Sequence, residues 1–126
     1  MRWRDTGRWA LAAVFVGAGV VHLAAPGLYE PAMPPFVPAH RALIFLSGLA
    51  EIAGGAGLIA PSPHLRRAAG GGLAVLLVAV YPANVWMAVD GVGGPAWLLW
   101  ARLPLQGALV AAVLGASGAF TETPVR

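Results

Sequence analysis

Apolar residues in this chain gather into four blocks, Trp9 to Ala25, Ala42 to Ala60, Ala68 to Val89 and Trp97 to Ala119, parted by polar or proline-rich breaks. A helix needs about 20 predominantly apolar residues, with a range of roughly 17–25, to cross the hydrocarbon core of a bilayer. Each block meets that length, the first at its lower limit. The pattern predicts an all-α fold: one transmembrane four-helix bundle over residues 1–126, of up-down topology. The breaks agree with it. "PSPHLRR" and "DGVGGP" are short enough to make their flanking helices antiparallel neighbours. The longer "PGLYEPAMPPFVPAHR" holds five prolines, which favour an extended, turned path over a helix. Its Leu28, Tyr29, Met33, Phe36 and Val37 suit an interfacial loop packed on the bundle, or a lid over an outward-facing pocket.

Composition turns the pattern into a membrane reading. Hydrophobic residues make up 59% and charged residues 10% of the chain, against about 45–50% and 25% in soluble domains. The net charge of +3 does not point to nucleic acid. Arg2, Arg4 and Arg8 precede the first block and Arg66 and Arg67 separate the second from the third, so these five share one side of a four-span chain. Glu30 and Asp90, with Arg41 at a helix start, fall on the other. By the positive-inside rule both termini are cytoplasmic. The N-terminal stretch also has the basic head and apolar run of a signal peptide, but "HLAAPGLYEP" offers a poor cleavage site, and a retained first helix is expected. With no cysteine, disulfides and thiolate metal sites are ruled out, and thiol chemistry would need a partner. Glycines inside the blocks (Gly17, Gly19, Gly48, Gly54, Gly55, Gly57, Gly70, Gly71 and Gly72) predict close helix packing rather than an open pore.

The candidate chemistry lies in the polar residues that interrupt the apolar blocks: His22 in the first, Ser47 and Glu51 in the second, Asn84 in the third, Arg102 and Gln106 in the fourth. Charged groups at the bilayer centre cost about 2.5–3.5 kcal/mol on the insertion scale, so intramembrane ionisable residues default to functional candidates. At ~1.5 Å per residue, Glu51 and Gln106 lie roughly 14 Å from the outer ends of their blocks, Asn84 and Arg102 roughly 8 Å, and His22 nearer still. Side chains tilt towards the N-terminus of their own helix, which draws Glu51, His22 and Asn84 into one layer, with Arg102 able to reach the interface or Glu51. Ser47 and Glu51 are four apart, as are Arg102 and Gln106, so each pair shares a face. Pro82 and Pro104 lie two residues from Asn84 and from Arg102 and Gln106, and each frees a backbone carbonyl. Three readings remain open: a structural staple, a ligand or redox-partner site, and a proton or ion path. One His and one Glu without Cys are too few for a usual metal site. The tryptophans Trp3, Trp9, Trp86, Trp97 and Trp100 read as belt anchors, with Trp86 and Tyr81 also candidates to line a flat-ring pocket around Asn84.

The segments "GVVHLAAP", "SGLAEIAGGAGLIAP", "YPANVWMA" and "RLPLQGAL", spread from Val14 to Leu114, together resemble the DoxX-like family of small four-helix membrane proteins. The resemblance implies a compact helical bundle in the plasma membrane of a prokaryote. Relatives in that family are similar to the small membrane subunits of thiosulfate:quinone oxidoreductase, and others are linked to thiol and oxidative stress through soluble enzymes. It therefore implies that Glu51, Asn84, Arg102 and Gln106 face a quinone or support a partner.

The reading that follows is an accessory, quinone-linked membrane subunit rather than a self-sufficient enzyme. Its ligand-binding residues are Glu51, Arg102, Asn84, Gln106, His22 and Ser47, with no catalytic residue and no metal. No cofactor is expected within the chain beyond a bound quinone, and the expected partners are the lipid bilayer and a redox enzyme or a second copy. The alternatives are a small proton-coupled carrier and a structural anchor for a partner enzyme.

Overall fold

The computed structural model describes residues 3–118, with side chains from residue 5 onward. It is helical throughout its regular structure: α1 (Trp3–Ala24), α2 (His40–Leu58), α3 (Pro63–Asp90) and α4 (Ala96–Ser117), with two 3-10 turns, Pro26–Leu28 and Glu30–Ala32, between α1 and α2. All four long helices are long and apolar enough to cross a membrane, which marks the chain as a multi-pass membrane protein. Ala119, placed by the pattern in the fourth block, and Arg2 lie outside the described residues, as do the side chains of Trp3 and Arg4.

Helices α1 and α3 outrun their apolar blocks because backbone hydrogen bonding does not stop where hydropathy falls, while α2 and α4 end two residues before theirs. α3 starts five residues before Ala68, where Ser62 caps it by accepting from the Leu65 N–H at 3.5 Å and Pro63 opens its first turn. It ends at Gly91, whose φ of 68° is the left-handed conformation that glycine adopts without strain. Arg66 closes the other end of the same turn, donating to the carbonyls of Ala60 and Pro61 at 2.9 and 3.0 Å. The long connection departs from its predicted extended path. Pro26 and Pro31 each sit at the start of a 3-10 turn, where the missing N–H would have had no partner in any case.

Helix α1 packs on α2, α2 on α3 and α3 on α4, and α4 returns against α1. All four contribute to one core: Phe15 from α1, Leu58 from α2, Leu73, Ala74 and Leu77 from α3, and Val113 from α4. A smaller cluster of Met87, Ala88 and Leu99 holds the turn end of α3 and α4, with Ala32 of the connection and Trp86 packed against it. Large apolar side chains such as Val14, Leu46, Val75, Val78, Trp97 and Leu105 face outward, as a lipid-facing surface requires.

Close approach is confined to particular glycines. A methyl group on Gly48 would sit 2.8 Å from His22 Cβ and 2.9 Å from the Gly19 carbonyl, and one on Gly55 would sit 3.1 Å from the Ala12 carbonyl. Residue numbers therefore fall along α1 as they rise along α2. Gly70 likewise lies against Ser117 and Val113 of α4. Gly17, Gly71 and Gly72 do not take part in this packing: a methyl group there would meet nothing within 4 Å. Glycine content alone does not say which faces are turned inward.

Candidate functional site

The Gly19–Gly48 approach brings His22 close to α2, since a methyl group on Gly48 would sit 2.8 Å from His22 Cβ. His22 follows Gly19 by three residues and Glu51 follows Gly48 by three, so each polar side chain lies on the face of its helix that carries the contact. His22 Nδ1 lies 3.2 Å from Glu51 Oε2, with side-chain exposures of 14% and 17%. The two meet although His22 is near the end of its helix and Glu51 is deep in its own. Gly48 lies against Gly19 and His22 near the end of α1, and the 3-10 turns of the connection pack against α2.

The same nitrogen is 2.6 Å from the Ala18 carbonyl. A carbonyl only accepts, so Nδ1 carries the proton there and points it at Ala18. Glu51 Oε2 consequently has charge contact with the imidazole but no hydrogen-bond partner, and it is a buried oxygen. Tyr29 packs on His22: its ring stacks on the imidazole with centroids 3.8 Å apart and planes at 17°. Burial, and secondarily the Glu51 carboxylate, push the Tyr29 phenol above its ordinary range, so it remains a hydrogen-bond donor at neutral pH. The connection that carries Tyr29 is tied down by His40 Nε2 donating to the Pro34 carbonyl at 2.9 Å and by Arg41 Nε donating to Glu30 Oε1 at 3.3 Å. Ser47, one turn before Glu51, is half-buried and makes no side-chain hydrogen bond among the described residues.

The remaining candidates form a second group between α3 and α4. Gln106 Nε2 donates to the Leu77 carbonyl at 2.7 Å, Asn84 Nδ2 donates to Gln106 Oε1 at 3.0 Å, and Arg102 donates to Asn84 Oδ1 at 3.4 Å. Only one orientation of the two amides satisfies this chain, because its last member, a backbone carbonyl, cannot donate. The carbonyl taken is that of Leu77, one residue before the Val78 carbonyl that Pro82 deprives of its donor four residues on.

The layer expected from depth alone is thus two groups, and among the described residues no hydrogen bond or ion pair joins them. Glu51 is paired with His22, and Arg102 with an amide. Tyr81 lines a cleft of about 200 Å³ with Leu77, Val78, Gln106, Gly107 and Val110, while Trp86 packs into the Met87 cluster instead. Tyr29 was not a candidate from sequence, where it reads as one of several interfacial residues of the connection. The turn at Pro26 that folds it back over His22 has no counterpart in the hydropathy pattern.

No curated protein and no solved structure matches the chain. A family model does match it, over residues 11–117, a stretch that includes His22, Tyr29, Glu51, Asn84, Arg102 and Gln106. The chain belongs to the family described as a domain of unknown function, DUF8561.

Proposed function

We propose that this protein is an accessory, quinone-linked subunit of a redox complex in the plasma membrane of a prokaryote, an up-down bundle with both termini cytoplasmic and no catalytic activity of its own. The arginine asymmetry supports the orientation. The four segments that resemble DoxX-like proteins support the redox association. The observation that carries the reading is the buried Glu51 Oε2, left without a hydrogen bond beside a His22 ring that is itself stacked on Tyr29. A buried acceptor of this kind is costly unless something completes it. Glu51 and His22 can exchange a proton with a quinone oxygen, Ser47 adds a hydroxyl one turn away, and Tyr29 gives a flat ring face. Electrons would come from the partner enzyme.

The test is thermal unfolding of the detergent-solubilised protein and of Glu51→Gln, His22→Phe and the double variant, with and without a short-chain quinone analogue. A ligand at about a hundred times its Kd stabilises the native state by roughly 2.7 kcal/mol. The expected result is a clear upward shift in the wild type that Glu51→Gln loses while remaining folded. Equal shifts in all four proteins, or none in the wild type, would sink the proposal. Strong Glu51–His22 coupling that ignores the ligand would assign the pair to holding α1 against α2. A proton-coupled carrier would instead show pH-driven uptake into vesicles abolished by Glu51→Gln.

A further inference from the structure

We infer that Arg102 is the receptor for a phosphate-type anion at the end of the bundle that carries the 91–95 turn, a site separate from Glu51 and independent of the quinone reading. The cations of this chain are treated unequally. Arg8 has Asp5, Arg41 has Glu30, and Arg66 has the carbonyls of Ala60 and Pro61. Arg102, the one of these four placed well inside a membrane-spanning helix, has a single amide oxygen at 3.4 Å. A guanidinium is always charged and carries five N–H donors in a planar fork, so one long bond to a neutral acceptor leaves both its charge and most of its donors unmatched. Among the described residues no carboxylate pairs with it: Asp90 at the same end is exposed, and Glu30 is committed to Arg41.

The amide chain behind Arg102 acts as a positioning device. With Leu77 fixing Gln106 and Gln106 fixing Asn84, the oxygen offered to Arg102 cannot be exchanged for an N–H, and the guanidinium is held without being neutralised. The side chain leans towards the start of its own helix, and hence towards the 91–95 turn. Arg102 lies six residues, about 9 Å, from that start. Trp97 and Trp100, both exposed, occupy the same two turns of α4, and exposed tryptophans settle at headgroup level. An arginine only two to five residues further along the helix reaches that level by extending its stem through the apolar layer. Bidentate phosphate recognition is what a guanidinium fork fits. The phosphate can belong to a lipid headgroup or be a free ion.

The experiment is native mass spectrometry of the delipidated full chain, titrated with phosphatidylglycerol, with uncharged diacylglycerol, and with inorganic phosphate as ligand and as competitor. The proteins are the wild type, Arg102→Gln, Asn84→Asp and, as a control, Arg41→Gln. Removing a charged hydrogen-bonding partner should weaken phosphatidylglycerol binding about tenfold in Arg102→Gln. Asn84→Asp supplies a carboxylate in place and gives up the donation to Gln106 Oε1, so, compared on folded protein, it should weaken lipid binding to the same degree at some cost in stability; it decides the matter if Arg102→Gln unfolds. Arg41→Gln should bind as the wild type does. Inert inorganic phosphate identifies the lipid headgroup as the source, and inorganic phosphate that binds alone and displaces the lipid identifies the free ion. Wild-type affinity in both Arg102→Gln and Asn84→Asp, or equal binding of diacylglycerol, would overturn the site.

Discussion

At the scale of single residues, the two polar groups differ in how completely they are satisfied. Gln106 is nearly enclosed, at 8% exposure, and uses both ends of its amide. Replacing it with leucine preserves most of the volume but leaves one buried Asn84 donor without its acceptor and takes the side-chain bond away from the Leu77 carbonyl. Leaving buried polar groups unpaired costs about 1–3 kcal/mol. Gln106→Leu should therefore lower stability by that amount, read from denaturant unfolding in detergent. A change below about 0.5 kcal/mol, the size typical of surface substitutions, would show that the network does not hold α3 to α4. Glu51 is the contrary case, a carboxylate whose Oε2 is buried with charge contact and no hydrogen bond. Its place inside an apolar block was plain from "SGLAEIAGG". Its partner was not, since depth and tilt put Arg102 within reach as well as His22. The choice between them depends on which helices are adjacent: α2 lies directly against α1, whereas α4 packs chiefly on α3.

At the scale of helices, glycine has two roles that composition cannot separate. Gly48 faces Gly19 and His22 at a distance that leaves no room for a methyl group, whereas Gly71 faces open space. Gly48→Ala should cost about 1–3 kcal/mol, the usual range for overpacking, and should also disturb the His22–Glu51 contact one turn away. Gly71→Ala should instead stabilise by roughly 0.5–1 kcal/mol, as expected where glycine in a helix interior is relieved of its entropic cost. Thermal unfolding of the two variants side by side checks both signs, and a like effect from both would contradict the packing described. The helix limits were legible in part. The apolar blocks locate every helix, but α1 and α3 extend into polar turns because caps and backbone bonds, not hydropathy, end a helix. The connection's 3-10 turns escaped a reading based on proline alone.

At the scale of the whole molecule, the proposed orientation puts the 91–95 turn outside and the 60–63 turn in the cytoplasm. The chain is free of cysteine, so single cysteines report without background. In intact cells a membrane-impermeant maleimide should label Gly93→Cys and spare His64→Cys, and the reverse pattern would invert the topology. By itself the sequence determined that this is a helical membrane protein, how many long helices it has and which polar residues they carry into the apolar layer. Those properties follow from length and hydropathy, quantities summed along a single helix. Only the tertiary structure decided that the polar residues divide between α1–α2 and α3–α4, that His22 rather than Arg102 meets Glu51, and that Tyr29 stacks on His22. These depend on the rotation of each helix about its axis and on the path of a connection. The first is set by where a few glycines let two backbones touch and the second by the 3-10 turns at Pro26 and Pro31, and no single-helix pattern contains either.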